Sequence, residues 1–257
     1  RSAALTLTAG GVSALAAPLA AKSAGSPYFV LQLLEALHER GGLRFDAEHR
    51  GWTWNDADLA RIEMADNLAV LLAERLGGLP PATRKVVAIV ARLGHRVVVP
   101  LLAAALGAPA DAAMAALEPV LIAGHLVLSA EGDAVSFAHH RVRQAALAGR
   151  DGGDIDHPGV ARRLAAAPED FDAFVVAERC IEAMSRPVAS GDALPFARAL
   201  TRAARAARLA GATAAALGYA EHGARALSTI EAPDLWLELY IEGARASVIC
   251  TDRVPTP

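Results

Sequence analysis

Gly124-His-Leu-Val-Leu-Ser-Ala-Glu-Gly-Asp-Ala-Val-Ser-Phe137 reads as a β-hairpin. Two short apolar runs, 124–128 and 134–137, flank Glu131-Gly-Asp133, a polar, glycine-bearing triplet suited to a turn. Upstream, Asp66 caps a helix running to about Gly77, and Pro80-Pro81 opens another that stops near Gly94. Arg96-Val-Val-Val99 is short and β-branched, and helices follow over 100–106 and 110–123. Three helices followed by a hairpin give the outline of a winged helix.

Before this block, helices are expected over 13–24 and 27–40. The second has Ser26 as its N-cap, Pro27 in its first turn and Gly41-Gly42 as its stop. Its Val30, Leu33, Leu34 and Leu37 recur at the spacing of one buried face. Leu43-Arg-Phe45 and Trp52-Thr-Trp54 form a second short hairpin, with both tryptophans on one side, as packing residues rather than a stacking platform.

After a Gly- and Asp-rich junction at 149–159, the pattern turns almost purely helical: near 160–167, 169–184, 193–210, 212–229 and 233–249. The pair spanning 196–210 and 212–227 carries small residues for a close crossing, namely Ala204, Ala215, Gly218 and Ala220, beside Tyr219. Helical hairpins of this length build TPR-like arrays. The fold class is therefore mostly α, in three expected parts: a helical segment with a short hairpin over 1–62, a winged-helix domain over 63–150, and the start of a helical array over 151–257.

Hydrophobic residues make up 54% of the 257 residues but aromatics only 5%. The cores are thus built from Ala, Leu and Val, as in close-packed helices. A net charge of -3 argues against a broadly nucleic-acid-binding surface. Cys180 and Cys250 are read as buried thiols in a reducing compartment. Apolar runs are broken well short of a membrane span, and no signal peptide is evident, so a cytoplasmic location is expected. The chain opens on Arg1, and is expected to be a fragment of a longer protein.

Behind the hairpin comes Phe137-Ala-His-His-Arg-Val-Arg-Gln-Ala-Ala146, the densest cationic cluster of the first half. Its donors at a helix start, His139, Arg141 and Arg143, suit an anion or an interdomain contact. Metal ligation is not expected, since neighbouring residues on a helix diverge by about 100° and no third ligand is spaced nearby. The helix over 111–123 carries Asp111 and Glu118 and no Lys or Arg, so it does not read DNA. Asp56, Asp58, Glu63 and Asp66 read as capping and solvated groups, so no catalytic constellation is assigned. Neither G-x-x-x-x-G-K-[ST] nor G-x-G-x-x-G occurs, and the glycines at 10–11, 41–42, 77–78 and 152–153 mark boundaries.

Three stretches in order resemble the STAND class of AAA-like bacterial signalling ATPases, which are fused to sensor histidine kinases, serine/threonine kinases, cyclases or transcription activators. Lys22-Ser-Ala-Gly-Ser-Pro-Tyr-Phe-Val-Leu-Gln-Leu-Leu34 is similar to the family's K-T-x-G-N-P-F-F-V-x-Q-L-L. Trp52-Thr-Trp54 with Asp66-Asn-Leu-Ala-Val-Leu-Leu-Ala-Glu-Arg-Leu76 resembles its W-x-W and D-N-V stretches. Phe137 to Ala146 resembles F-x-H-D-R-V-x-Q-A-A. The likeness covers roughly 13–250.

The resemblance implies that 1–62 is the helical lid over a nucleotide, with Gly25 and Pro27 matching its Gly-x-Pro turn. It implies nucleotide contact by His139, on the β-phosphate of ADP, and by Arg141. His140 stands where the family has Asp, so Arg141 loses that salt-bridge partner. A P-loop core lying N-terminal in the parent would hold ATP or ADP with Mg²⁺, and the helical array would take a protein partner or ligand. The segment by itself is expected neither to hydrolyse ATP nor to bind it tightly. The parent's output domain is expected to be a sensor histidine kinase or a serine/threonine kinase. The alternative is a nucleotide-independent scaffold of winged helix and helical repeats that binds a partner protein.

Overall fold

The computed structural model describes residues 9–23, 25–48, 51–54, 66–149, 155–167 and 171–251. These are mostly helical, with 12 α-helices and two small sheets. They divide into two compact units, 1–78 with 138–145, and 79–137 with 146–257. Asp56, Asp58 and Glu63, the side chains of Asp66 and Cys250, and the junction over 150–154 lie outside the described residues.

The first unit holds α1 (Ala9–Ser23), α2 (Pro27–Glu39), strands β1 (Leu43–Asp46) and β2 (Gly51–Trp54), and α3 (Asp66–Gly77). Gly10 and Gly11 lie in the first turn of α1, inside the helix and not at a boundary before it. Pro27 opens α2 because its fixed φ suits the helix and its missing N–H has no partner to lose there. Ser26 occupies the N-cap position but makes no side-chain cap bond. The hairpin pairs Leu43 with Trp54 and Phe45 with Trp52, so all four side chains share one face. Leu43 and Trp54 close a core with Leu15 and Leu19 of α1 and Leu33 and Leu37 of α2, as the spacing in α2 predicts. Trp52 packs against that core and meets the edge of His38. Both tryptophans are packing residues.

The second unit begins with α4 (Pro81–Leu93), β3 (Arg96–Val98), α5 (Val99–Leu106), α6 (Ala110–Ile122), β4 (Leu126–Leu128) and β5 (Ala134–Phe137). The expected hairpin forms: Leu126 pairs with Phe137 and Leu128 with Val135. Ser129 stabilises its turn, its Oγ donating to Asp133 (2.6 Å) and accepting from the Asp133 and Ala134 amides. β3 adds to the far side of β5, giving an antiparallel sheet in the order β3-β5-β4. Valines 86, 87 and 90 of α4, Leu102 of α5 and Leu117 and Val120 of α6 are buried. Among the described residues, no single helix is long and apolar enough to cross a membrane.

The helix α7 (His140–Ala148) follows the sheet, and its start groups with the first unit. The second unit continues with α8 (His157–Ala165), α9 (Ala173–Ala183), α10 (Ser190–Leu209), α11 (Thr213–Ala226), a 3₁₀ turn at Leu227–Thr229, and α12 (Pro233–Thr251). Asp156 and Asp172 cap α8 and α9 by accepting backbone N–H bonds. α8 is tied down by two arginines. Arg162 grips buried Asp192 of α10 in a two-pronged pair, and Arg163 donates twice to the Ala105 carbonyl of α5.

Alanine sets the packing of the last three helices. Ala207, Ala216 and Ala246, one from each, form a fully buried cluster. Gly223 lies so close to Leu239 that a Cβ would stand 2.6 Å from its Cδ2. The buried line on α11 is therefore Ala216, Ala220 and Gly223. Ala215 and Gly218, expected at the crossing, are not there: Ala215 is exposed and nothing lies within 4 Å of a Cβ at Gly218. Replacing Ala216 by leucine is expected to cost about 3 kcal/mol through overpacking, whereas leucine at 215 stays within about 0.5 kcal/mol of the parent. Urea denaturation of the two variants checks this; equal stabilities would mean that the helix is rotated from this arrangement.

Candidate functional site

Four residues were singled out by the sequence: Gly25, Pro27, His139 and Arg141. Gly25 forms the α1–α2 turn at φ 73°, a left-handed conformation that favours glycine. Its amide donates to the Ala20 carbonyl (3.0 Å), so it contributes shape and not a free donor. Pro27 has no N–H to give. The pair serves to start α2 at a fixed point, and Tyr28 and Phe29 follow at once.

Those two aromatics meet the cationic stretch of α7. The His139 ring packs on Phe29 with centroids 4.5 Å apart and stacks nearly parallel to Tyr28 at 5.9 Å. The Arg141 guanidinium sits over the Phe29 ring, 5.8 Å from its centroid. That is a cation–π contact. All these residues belong to the first unit. Phe29 is buried, with 3% of its surface exposed, while Arg141 is exposed.

His139 precedes α7 and caps it. The Arg141 backbone N–H donates to His139 Nδ1 (3.2 Å), so a neutral ring carries its proton on Nε2. Because His139 stands outside the helix, the divergence expected of adjacent helical residues does not apply. The His139 and His140 rings lie 4.2 Å apart. Among the described residues, no group of three or more His, Cys, Asp or Glu side chains is placed to hold a metal ion.

An ionic layer flanks the aromatics. Arg75 of α3 donates to Glu35 (2.9 Å) and Glu39 (3.2 Å) on α2, and Gln32 also donates to Glu35 (3.2 Å). Burial raises the Tyr28 phenol above its ordinary range; Arg75 opposes this and Glu35 adds to it. Tyr28 therefore stays neutral and serves as a packing surface. Gln32 and Phe29 form a second buried line on α2, which the apolar spacing alone did not reveal. The signal was the unbroken Pro-Tyr-Phe run directly after the turn.

Burial pushes the Cys180 thiol up to about 12, with nearby Arg202 and Arg179 opposing weakly. A thiol held neutral in this way is no nucleophile. On α6, the exposed polar side chains include Asp111 and Glu118. Comparison with family models, curated proteins and solved structures gives no match to this chain.

Proposed function

We propose that this chain is the regulatory segment of a STAND-class, AAA-like signalling ATPase. On this reading 1–62 is the lid, 63–150 a winged helix and 151–257 the opening of a TPR-like array. Together they couple the nucleotide state of a P-loop core to a kinase output in the cytoplasm. The observation that carries the proposal is the meeting of the Gly25-Ser-Pro27 turn's aromatics with His139 and Arg141. Two stretches chosen for their likeness to separate family motifs thus pack together within one unit.

The chemistry fits a limited role. A neutral histidine whose Nδ1 accepts as a cap carries its proton on Nε2, and an imidazole N–H is the kind of donor a phosphate oxygen takes. The sequence has no G-x-x-x-x-G-K-[ST] loop, and on this reading Mg²⁺ and the phosphate loop belong to the P-loop core. The α4–β3–α5–α6–β4–β5 order and the β3-β5-β4 sheet support the winged-helix reading. α6 has no cation to offer DNA phosphates and serves packing instead.

Calorimetric titration of ADP into the intact signalling protein tests the proposal. His139→Ala is expected to weaken ADP binding about tenfold or more, the loss of a charge-assisted phosphate contact. His139→Asn retains a capping acceptor, so it separates the phosphate role from the cap and is expected to weaken ADP to a similar degree. Unchanged affinity in both variants would overturn the proposal. The scaffold alternative is favoured by one feature, the exposed Trp236, Leu237 and Tyr240 on α12. A parent without a P-loop would decide for it.

A further inference from the structure

The segment after α9 and the end of α11 enclose a groove of about 500 Å³, within the size range of small-molecule sites. Arg186 reaches it from one side and Arg225 from the other. No carboxylate side chain lines it, and neither guanidinium makes a hydrogen bond or ion pair among the described residues. In the same unit, Arg92, Arg162, Arg179, Arg205 and Arg208 have carboxylate partners. Arg198 and Arg202 likewise have no carboxylate partner among the described residues, but Arg186 and Arg225 both line this one groove.

The other polar groups narrow the ligand. Ser185 Oγ donates to the Glu182 carbonyl (2.8 Å) and Ser228 Oγ to the Arg225 carbonyl (2.9 Å). His222 Nδ1–H donates to the Gly218 carbonyl (2.7 Å). Their protons are committed, so the two guanidiniums are the donors the groove offers an anion. A plainer role exists for both arginines, because each stands near a helix C-terminus and complements its dipole. Magnitude decides against that as the whole account. Each helix end carries roughly −0.5 charge, so two full positive charges leave a surplus of about one. Met184, Ile181 and Val188 supply an apolar wall beside it.

We infer that this groove binds a small organic monoanion, a carboxylate carried on an apolar body. The inference goes beyond the nucleotide reading and stands or falls separately from it. The guanidiniums take the head and the apolar wall takes the body.

Isothermal titration of the 257-residue chain with 4-phenylbutyrate tests it, with acetate and 4-phenylbutanol as the head-only and body-only controls. Saturable 1:1 binding is expected, about tenfold or more tighter than either control. The double variant Arg186→Gln/Arg225→Gln should lose it, with the circular dichroism spectrum retained because both side chains are exposed. Val188→Glu, which sets a negative charge on the wall, should lose it as well. No saturable binding, affinity no better than that of a control, or affinity retained in the double variant would each overturn the assignment.

Discussion

Phe29→Ala lowers the stability of the first unit by about 4 kcal/mol, the cost expected for deleting a buried aromatic ring. The ring is 3% exposed and is the shared surface of three neighbours: Tyr28, His139 and Arg141. Its loss therefore removes transfer free energy and leaves a cavity, and also strips His139 of the buried ring it packs on. Arg141→Ala is the comparison. The guanidinium is exposed, so losing its cation–π contact costs only about 0.5–1 kcal/mol. Chemical denaturation of both variants, with the His139 ring followed by NMR, checks the pair. Equal losses would show that the cationic group and not the buried ring organises the site.

Glu242→Ala costs the second unit about 3 kcal/mol, the lower end for breaking a buried ion pair. The Glu242 side chain is 3% exposed and accepts from Arg208 (2.6 Å) and Arg205 (3.4 Å) of α10, while Arg245 on its own helix stands 3.7 Å away. Removing it strands Arg208, whose side chain is itself mostly buried. Arg205 is half exposed and recovers water, which keeps the loss at the lower end. Burial by itself would raise the Glu242 carboxyl, but the hydrogen bonds and charges of Arg208 and then Arg205 outweigh it and hold the group below its ordinary 4.5.

The sign of the pH dependence follows. A carboxyl depressed in the folded state binds its proton more readily when unfolded, so its contribution is whole above about 4.5. It disappears as pH falls below that value through the lower, folded one. The stability gap between the parent chain and Glu242→Ala should therefore be full at pH 7 and shrink on acidification. Urea unfolding at pH 7 and at successively lower pH reads it directly. A gap that grows toward acid would contradict the arrangement.

Much of the secondary structure was legible because the chain punctuates itself locally. Pro27 and Pro81 start helices, and Gly41 and Gly94 follow their ends. Alternation in 126–137 and 43–54 gave both hairpins, and the spacing of Val30, Leu33, Leu34 and Leu37 gave the core face of α2. Half of the candidate site was legible in the same way, as two motif stretches. Neither stretch, however, carries a signal that the other is its neighbour.

What the sequence determined by itself was which segments form helices and strands, since prolines, glycines and alternation act within a few residues. The ends shifted: α1 begins at Ala9 and not near 13, and α9 at Ala173 and not near 169. Tertiary structure decided the rest. In the Ala214-Ala-Ala-Leu-Gly218 stretch of α11 small apolar residues follow one another, so the local pattern has no phase. Only the closeness of Leu239 and Ala246 selects Gly223 and Ala216 over Gly218 and Ala215. β3 joins β5 through backbone bonds that three residues cannot announce. Phe29 meets His139 and Arg141, and Arg186 meets Arg225 across a groove, because the chain between them folds back. Contacts of that kind are set by packing between distant segments, which no local pattern encodes.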